Sequence, residues 1–141
     1  MADSTAQAIQ ALRKQQQRIG SSGSKKPRII VMNALSVGES HKVAPLFLRL
    51  MMDYTNVGKT WEDHSAVDAE IEDNCGDDVH WTVVYVSVLA GSGNKPVKTF
   101  SSDQSGFGWL ITRESCARWM IDAATEESGD KFTNARVIVS N

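Results

Sequence analysis

The chain has 141 residues, 41% of them hydrophobic and 23% charged, the length and balance of one ordinary soluble domain with a full core. Lys and Arg number 15 against 17 Asp and Glu, a formal net charge of -2, which argues against nucleic acid as the main partner, since binding a phosphate backbone needs clustered positive excess. Two cysteines are too few for a disulfide framework, and no apolar run approaches the roughly 18 residues of a membrane span, so a reduced cytoplasmic protein is expected, with neither nucleic acid nor membrane as partner.

Residues 4–19 read as a helix, with Ile9, Leu12 and Ile19 on one loosely apolar side and "RKQQQR" as the solvated side. The Met1–Ile19 stretch lacks the apolar region of a secretory signal. "GSSGSKK" then gives a flexible connection, so residues 1–26 are expected as helix and linker, and 27–141 as the folded unit.

"RIIVM" at 28–32 is continuous and β-branched, the pattern of a strand covered on both faces. Pro45 suits the first turn of a helix running through "PLFLRLMMDY". A second helical stretch covers 60–73, with Trp61, His64, Val67 and Ile71 on one stripe. "HWTVVYVSVL" (His80 to Leu89) reads as one buried strand, "AGSGNKP" as a loop and "VKTF" as a short extended piece. "WLIT" leads into a helix with Thr112 as N-cap, Glu114 at its positive end, and Ala117, Met120, Ile121 and Ala124 as the buried face. "ARVIVSN" closes the chain as a strand. This alternation predicts an α/β fold, a parallel sheet with crossover helices, yet with few strands.

Most catalytic signatures are missing. A dinucleotide cradle needs G-x-G-x-x-G between a strand and a helix; "GSGNKP" at 91–96 puts Pro96 where the third glycine belongs, and "GSSGS" at 20–24 follows a helix. Tyr54 and Lys59 have four residues between them, so they diverge on a helix and cannot act as a Tyr-x-x-x-Lys pair. His64 and Asp68 are four apart and share a helix face, a spacing that lets a carboxylate orient an imidazole, although a histidine on the Trp61 and Ile71 stripe is more often a satisfied semi-buried residue than a catalyst. His41 and His80 have weaker cases. No metal site is expected: Cys75 and Cys116 are isolated, and Asp73, Asp77 and Asp78 lack calcium-loop spacing. Ser36, Ser40 and Ser87 lack a nucleophile elbow, but Ser36 follows the first strand at the carboxyl edge where open α/β sheets bind ligands.

Taken in order, "PRIIVMNALSV", "WEDHSAVDAEIED", "DVHWTVVYVSVLAGSG", "WLITRESCARWMIDAA" and "ARVIVSN" resemble the carboxyl-terminal half of NmrA-like oxidoreductases, atypical short-chain dehydrogenases, and among them fungal proteins similar to averufin oxidase. The resemblance runs from about residue 27 to the end. It implies a partial Rossmann-like parallel sheet whose nucleotide-binding strands would lie N-terminal to Met1. It further implies an NAD(P)-dependent reaction on aromatic or polyketide-type small molecules in secondary metabolism. Ser36 and His64 would then be catalytic, and Asn33, Tyr85 and Ser87 would contact the cofactor. The departures are specific. Asn33 and Ala34 stand where the family has paired serines, Tyr85 and Val86 replace its Arg-Pro, and its glycine-rich turn has no counterpart. A cofactor held without that turn loses most of its fixed contacts, so NAD(P) binding is expected to be weakened or lost. The alternative expectation is a non-catalytic binding module. It would pair through the exposed edge of Arg28–Met32 with a second copy or a complementing chain.

Overall fold

The computed structural model describes residues 1–19, 25–46, 49–50, 58–125 and 130–141, apart from the side chains of Glu39, residues 58–61 and Asp130. Its elements are α1 (Ala2–Ile19), β1 (Arg28–Ala34), α2 (Gly58–Cys75), β2 (His80–Val86), β3 (Val88–Leu89), β4 (Lys98–Ser101), β5 (Leu110–Ile111), α3 (Arg113–Ala124) and β6 (Ala135–Ser140). The linker at 20–24 and most of the helix expected from Pro45, Tyr54 included, lie outside the described residues; Arg49 N does donate to Pro45 O at 3.1 Å.

Four strands form the main sheet in the order β1-β2-β6-β4. β1 and β2 run parallel in register from Arg28↔His80 to Ala34↔Val86, and β2 and β6 run parallel from Thr82↔Ala135 to Val86↔Val139. "VKTF" becomes β4, antiparallel to β6. The expected α/β sheet with crossover helices is therefore observed.

Side-chain alternation along each strand splits the core in two. Val83 and Tyr85 of β2 join Ile9 of α1 and Val67, Ile71 and Cys75 of α2 on one face. Val84 and Val86 join Cys116 of α3 and Val137 and Val139 of β6 on the other. Helices thus cover both faces, and Val83 and Val84 are each fully buried, which contributes about 2 kcal/mol per side chain. Burial on both faces is why β2 reads as a continuous apolar run.

Three sequence expectations need correction. The strand expected from His80 to Leu89 breaks at Ser87, because beyond it the chain changes partner. Ser87 Oγ donates to Trp109 O at 2.6 Å, and Val88 N and Ala90 N donate to Trp109 O and Ile111 O. β3 therefore pairs with β5 in a separate two-stranded parallel sheet. The buried face of α3 is formed by Ser115, Cys116 and Ala123, with Ile121 60% exposed and Ala117 and Ala124 also at the surface. Ser115 faces inward because its hydroxyl binds both Lys95 N (2.8 Å) and Lys95 O (3.1 Å), which fixes the helix rotation. Ile19, at the end of α1, is 67% exposed rather than part of the apolar side. Thr112 does cap α3, accepting from Ser115 N at 3.1 Å. No described helix is long and apolar enough to cross a membrane.

Candidate active site

At the carboxyl ends of β1 and β2 lies a cavity of about 280 Å³, the place where an open parallel sheet offers its ligand crevice. Asn33 and Ala34 supply its β1 wall, Val86, Ser87 and Leu89 the β2–β3 wall, and His64 looks in from α2; Met1 and Met32 complete the lining. The surface is almost wholly apolar, with polar groups at His64, Asn33 and Ser87.

His64 is anchored from the sheet. Asn33 points toward α2 because it shares the strand face of Ile29 and Val31, which pack into that core. It is 2% exposed. Its Nδ2 donates to His64 O at 2.9 Å, and its Oδ1 lies 2.8 Å from His64 Nδ1 and accepts from Ala34 N at 2.9 Å. Asp63, the residue before it in α2, pairs with the N-terminal ammonium, and that hydrogen bond holds its carboxyl below the usual range.

Asp68, one helical turn on, does different work from the one its spacing suggests. Asn33 and Tyr85 are register partners on neighbouring strands, and strands about 4.8 Å apart sit under successive helical turns of about 5.4 Å. His64 therefore meets Asn33 while Asp68 accepts a hydrogen bond from the Tyr85 hydroxyl. Arg136 of β6 closes the group: its Nε is 3.8 Å from Asp68, its Nη2 pairs with Glu72, and its guanidinium lies 5.0 Å over the Trp81 ring. The Arg136 and Asp68 side chains are only 12% and 11% exposed. Desolvation offsets much of the attraction in a buried ion pair of this kind.

Of the five residues singled out in the sequence, Asn33, His64 and Ser87 converge on the cavity. Ser36 and Tyr85 are not among its lining. Tyr85 is fully buried beneath α2. Ser36 is 3% exposed in the turn after β1, with a left-handed φ of 76°. Its Oγ has no hydrogen-bond partner among the described residues, while its N–H donates to Ser40 Oγ at 2.9 Å. Ser87 spends its one proton on Trp109 O and retains lone pairs to accept with.

A nicotinamide cofactor fits this site at one end. The apolar wall of Ala34, Val86 and Leu89 suits the face of a flat ring. No described turn suits a diphosphate. A Cβ on Gly38 would fall 1.9 Å from Asp68 Oδ2, so that glycine serves the packing of α2; Gly93 and Gly106 face open space in loops that lead to no helix. No group of three or more His, Cys, Asp or Glu that could hold a metal occurs among the described residues. Burial pushes the Cys75 thiol up to about 11 and raises that of Cys116, so neither offers a thiolate at neutral pH.

Sequence reasoning missed the lining residues Met32, Ala34, Val86 and Leu89. Their only signal was position: each sits within the last three residues of a strand.

No family model matches the chain, and no curated protein matches it. Solved structures do. A short-chain dehydrogenase/reductase (wide type) from Veillonella parvula DSM 2008, solved in complex with NADP, superposes with a TM-score of 0.75 at 12% identity, over 99% of this chain and 58% of that one. An ethylated short-chain dehydrogenase/reductase from the same organism gives 0.74 at 13% identity, again over 99% and 58%. A candidate NADH-flavin reductase from Streptococcus pneumoniae TIGR4 gives 0.57 at 10% identity, over 99% and 66%. At these identities the likeness is one of fold. The chain has the Rossmann-like α/β fold of short-chain dehydrogenase/reductase structures and spans 58% of the length of the first two.

Proposed function

We propose that the chain provides the substrate-side face of an NAD(P)-dependent reductase acting on a small, apolar carbonyl compound of aromatic or polyketide type, as part of secondary metabolism. The observation that carries this reading is the apolar cavity at the carboxyl ends of β1 and β2, with His64 held on its wall by Asn33. The likeness in fold to an NADP complex supports it. A bound dihydronicotinamide would supply the hydride. The protein's own part is to hold the carbonyl against Ala34, Val86 and Leu89, to exclude water there, and to deliver a proton from His64 to the oxygen. Ser87 would accept a hydrogen bond from the ring carboxamide.

The test is a titration of the purified protein with NADPH and NADH, read by quenching of Trp81, Trp109 and Trp119 fluorescence, followed by turnover of an aromatic ketone. Saturable quenching below millimolar cofactor is expected. Replacing His64 by Asn should lower kcat about 10²-fold and leave cofactor affinity unchanged. No quenching up to millimolar cofactor would overturn the reading.

One observation favours a second reading. β1 is the outermost strand of the sheet among the described residues, and an open strand edge is a template for another chain. A module that pairs there with a second copy or a complementing chain would bind ligand without catalysis of its own.

A further inference from the structure

The amide of Asn33 has its orientation fixed twice. Nδ2 faces His64 O at 2.9 Å, and a carbonyl oxygen only accepts, so that end of the amide must be nitrogen. Oδ1 faces Ala34 N at 2.9 Å, and a backbone N–H only donates, so that end must be oxygen. His64 Nδ1 sits 2.8 Å from this same Oδ1. An amide oxygen carries no proton, so the hydrogen in this contact can come only from the imidazole.

We propose that Asn33 is a positioning residue that fixes His64, a residue of the cavity lining, as its Nδ1–H tautomer, making Nε2 the nitrogen that gains and loses a proton. The neutral ring then presents a basic Nε2, and the charged ring an Nε2–H donor. Nδ1 keeps its proton in both states. Free histidine side chains favour the opposite tautomer, so the assignment reverses a default and is not a restatement of it. Asn33 is suited to this role because it is 2% exposed, and a hydrogen bond shielded from water resists competition. The main-chain bond to His64 O adds a second constraint: it ties the α2 backbone to the end of β1 at the residue whose ring must be aimed.

This account differs from the cofactor contact the sequence resemblance implies for Asn33. Three hydrogen bonds already engage its amide within the protein, and its effect on a substrate passes through His64. The proton-transfer role of Nε2 rests on the reductase reading; the tautomer does not.

The experiment is a long-range ¹H–¹⁵N correlation spectrum of the whole protein labelled with ¹⁵N-histidine, at a pH where the imidazoles are neutral. His64 is told apart from His41 and His80 by loss of its signals in a His64→Asn variant. The wild-type protein should show a protonated, pyrrole-type Nδ1 and a bare, pyridine-type Nε2 at residue 64. Asn33→Leu removes the acceptor and should return His64 to the Nε2–H form. Asn33→Asp keeps an acceptor oxygen and should retain Nδ1–H, a rescue that loss of packing alone would not produce. A bare Nδ1 in the wild-type protein overturns the proposal, as does an unchanged tautomer in a folded Asn33→Leu. Should Asn33→Leu fail to fold, the wild-type and Asn33→Asp spectra decide. An Nδ1–H tautomer in a protein that binds no NAD(P)H upholds the positioning role while sinking the reductase reading, and the reverse pair of results does the opposite.

Discussion

Gly38 has a φ of 52°, and a Cβ there would fall 1.9 Å from Asp68 Oδ2 and 3.1 Å from the Tyr85 hydroxyl. Alanine at this position must displace a carboxylate already bonded to Tyr85 and paired with Arg136. Overpacking of this kind costs about 1–3 kcal/mol and the left-handed backbone about 1–2 more. Gly38→Ala should therefore lose about 3 kcal/mol of stability, measured from the midpoint of urea unfolding. Gly93→Ala is the control: its φ is 81° but its Cβ would meet open space, so only the backbone cost of about 1–2 kcal/mol applies. Nothing in "SVGES" announces this difference, because the constraint on Gly38 comes from side chains 30 and 47 residues further along the chain. The same holds for His64. Its spacing to Asp68 is visible in the sequence, whereas its true anchor, Asn33, is 31 residues away and is found only once β1 lies under α2.

At the scale of elements, local chemistry was legible and rotation was not. Thr112 is a cap that any reader of "WLITRES" finds, since a hydroxyl before a helical pattern satisfies an otherwise orphaned N–H. Which side of α3 faces inward depends instead on a loop. Ser115 is fully buried against the backbone of Lys95, and Thr112 Oγ1 donates to Gly93 O at 2.7 Å. A polar residue thus takes a core position that a hydrophobicity pattern gives to Ile121. Thr112→Ala should cost about 2 kcal/mol, the upper end for a lost cap, because it also releases the loop at 91–97; a thermal melt reads the loss. Ser87 makes the same point for strands. Its apolar flanks, Tyr85-Val86 and Val88-Leu89, look like one run, yet the Ser87 hydroxyl and Val88 N both turn to Trp109 O, where one strand ends and another begins.

For the whole molecule, the alternation of helices and strands was enough to give an α/β sheet, since continuous apolar strands require cover on both faces. The position of β1 at the edge of that sheet was also expected from the small number of strands. What pairs with that edge belongs to the second reading, and it can be measured. Met32 is 38% exposed on β1, and a lysine there places charge on an edge that another chain would have to bury. If β1 pairs between copies, sedimentation velocity should show a dimer for the wild-type protein and a monomer for Met32→Lys. A wild-type protein that stays monomeric across a wide concentration range would remove self-pairing from consideration.

The break at Ser87 carries one more consequence. The cavity is bounded by Val86, Ser87 and Leu89, so it straddles the seam where one sheet hands the chain to the other. Main-chain bonds from Val88 N to Trp109 O and from Ala90 N to Ile111 O hold the small sheet at that seam, and so short a pairing opens readily. Anything that settles into the hollow must brace both sides of it. Deuterium uptake at the amides of Val88 and Ala90 should then slow when a true occupant is present, giving the protein a built-in gauge for choosing among candidate small molecules before any reaction has been observed.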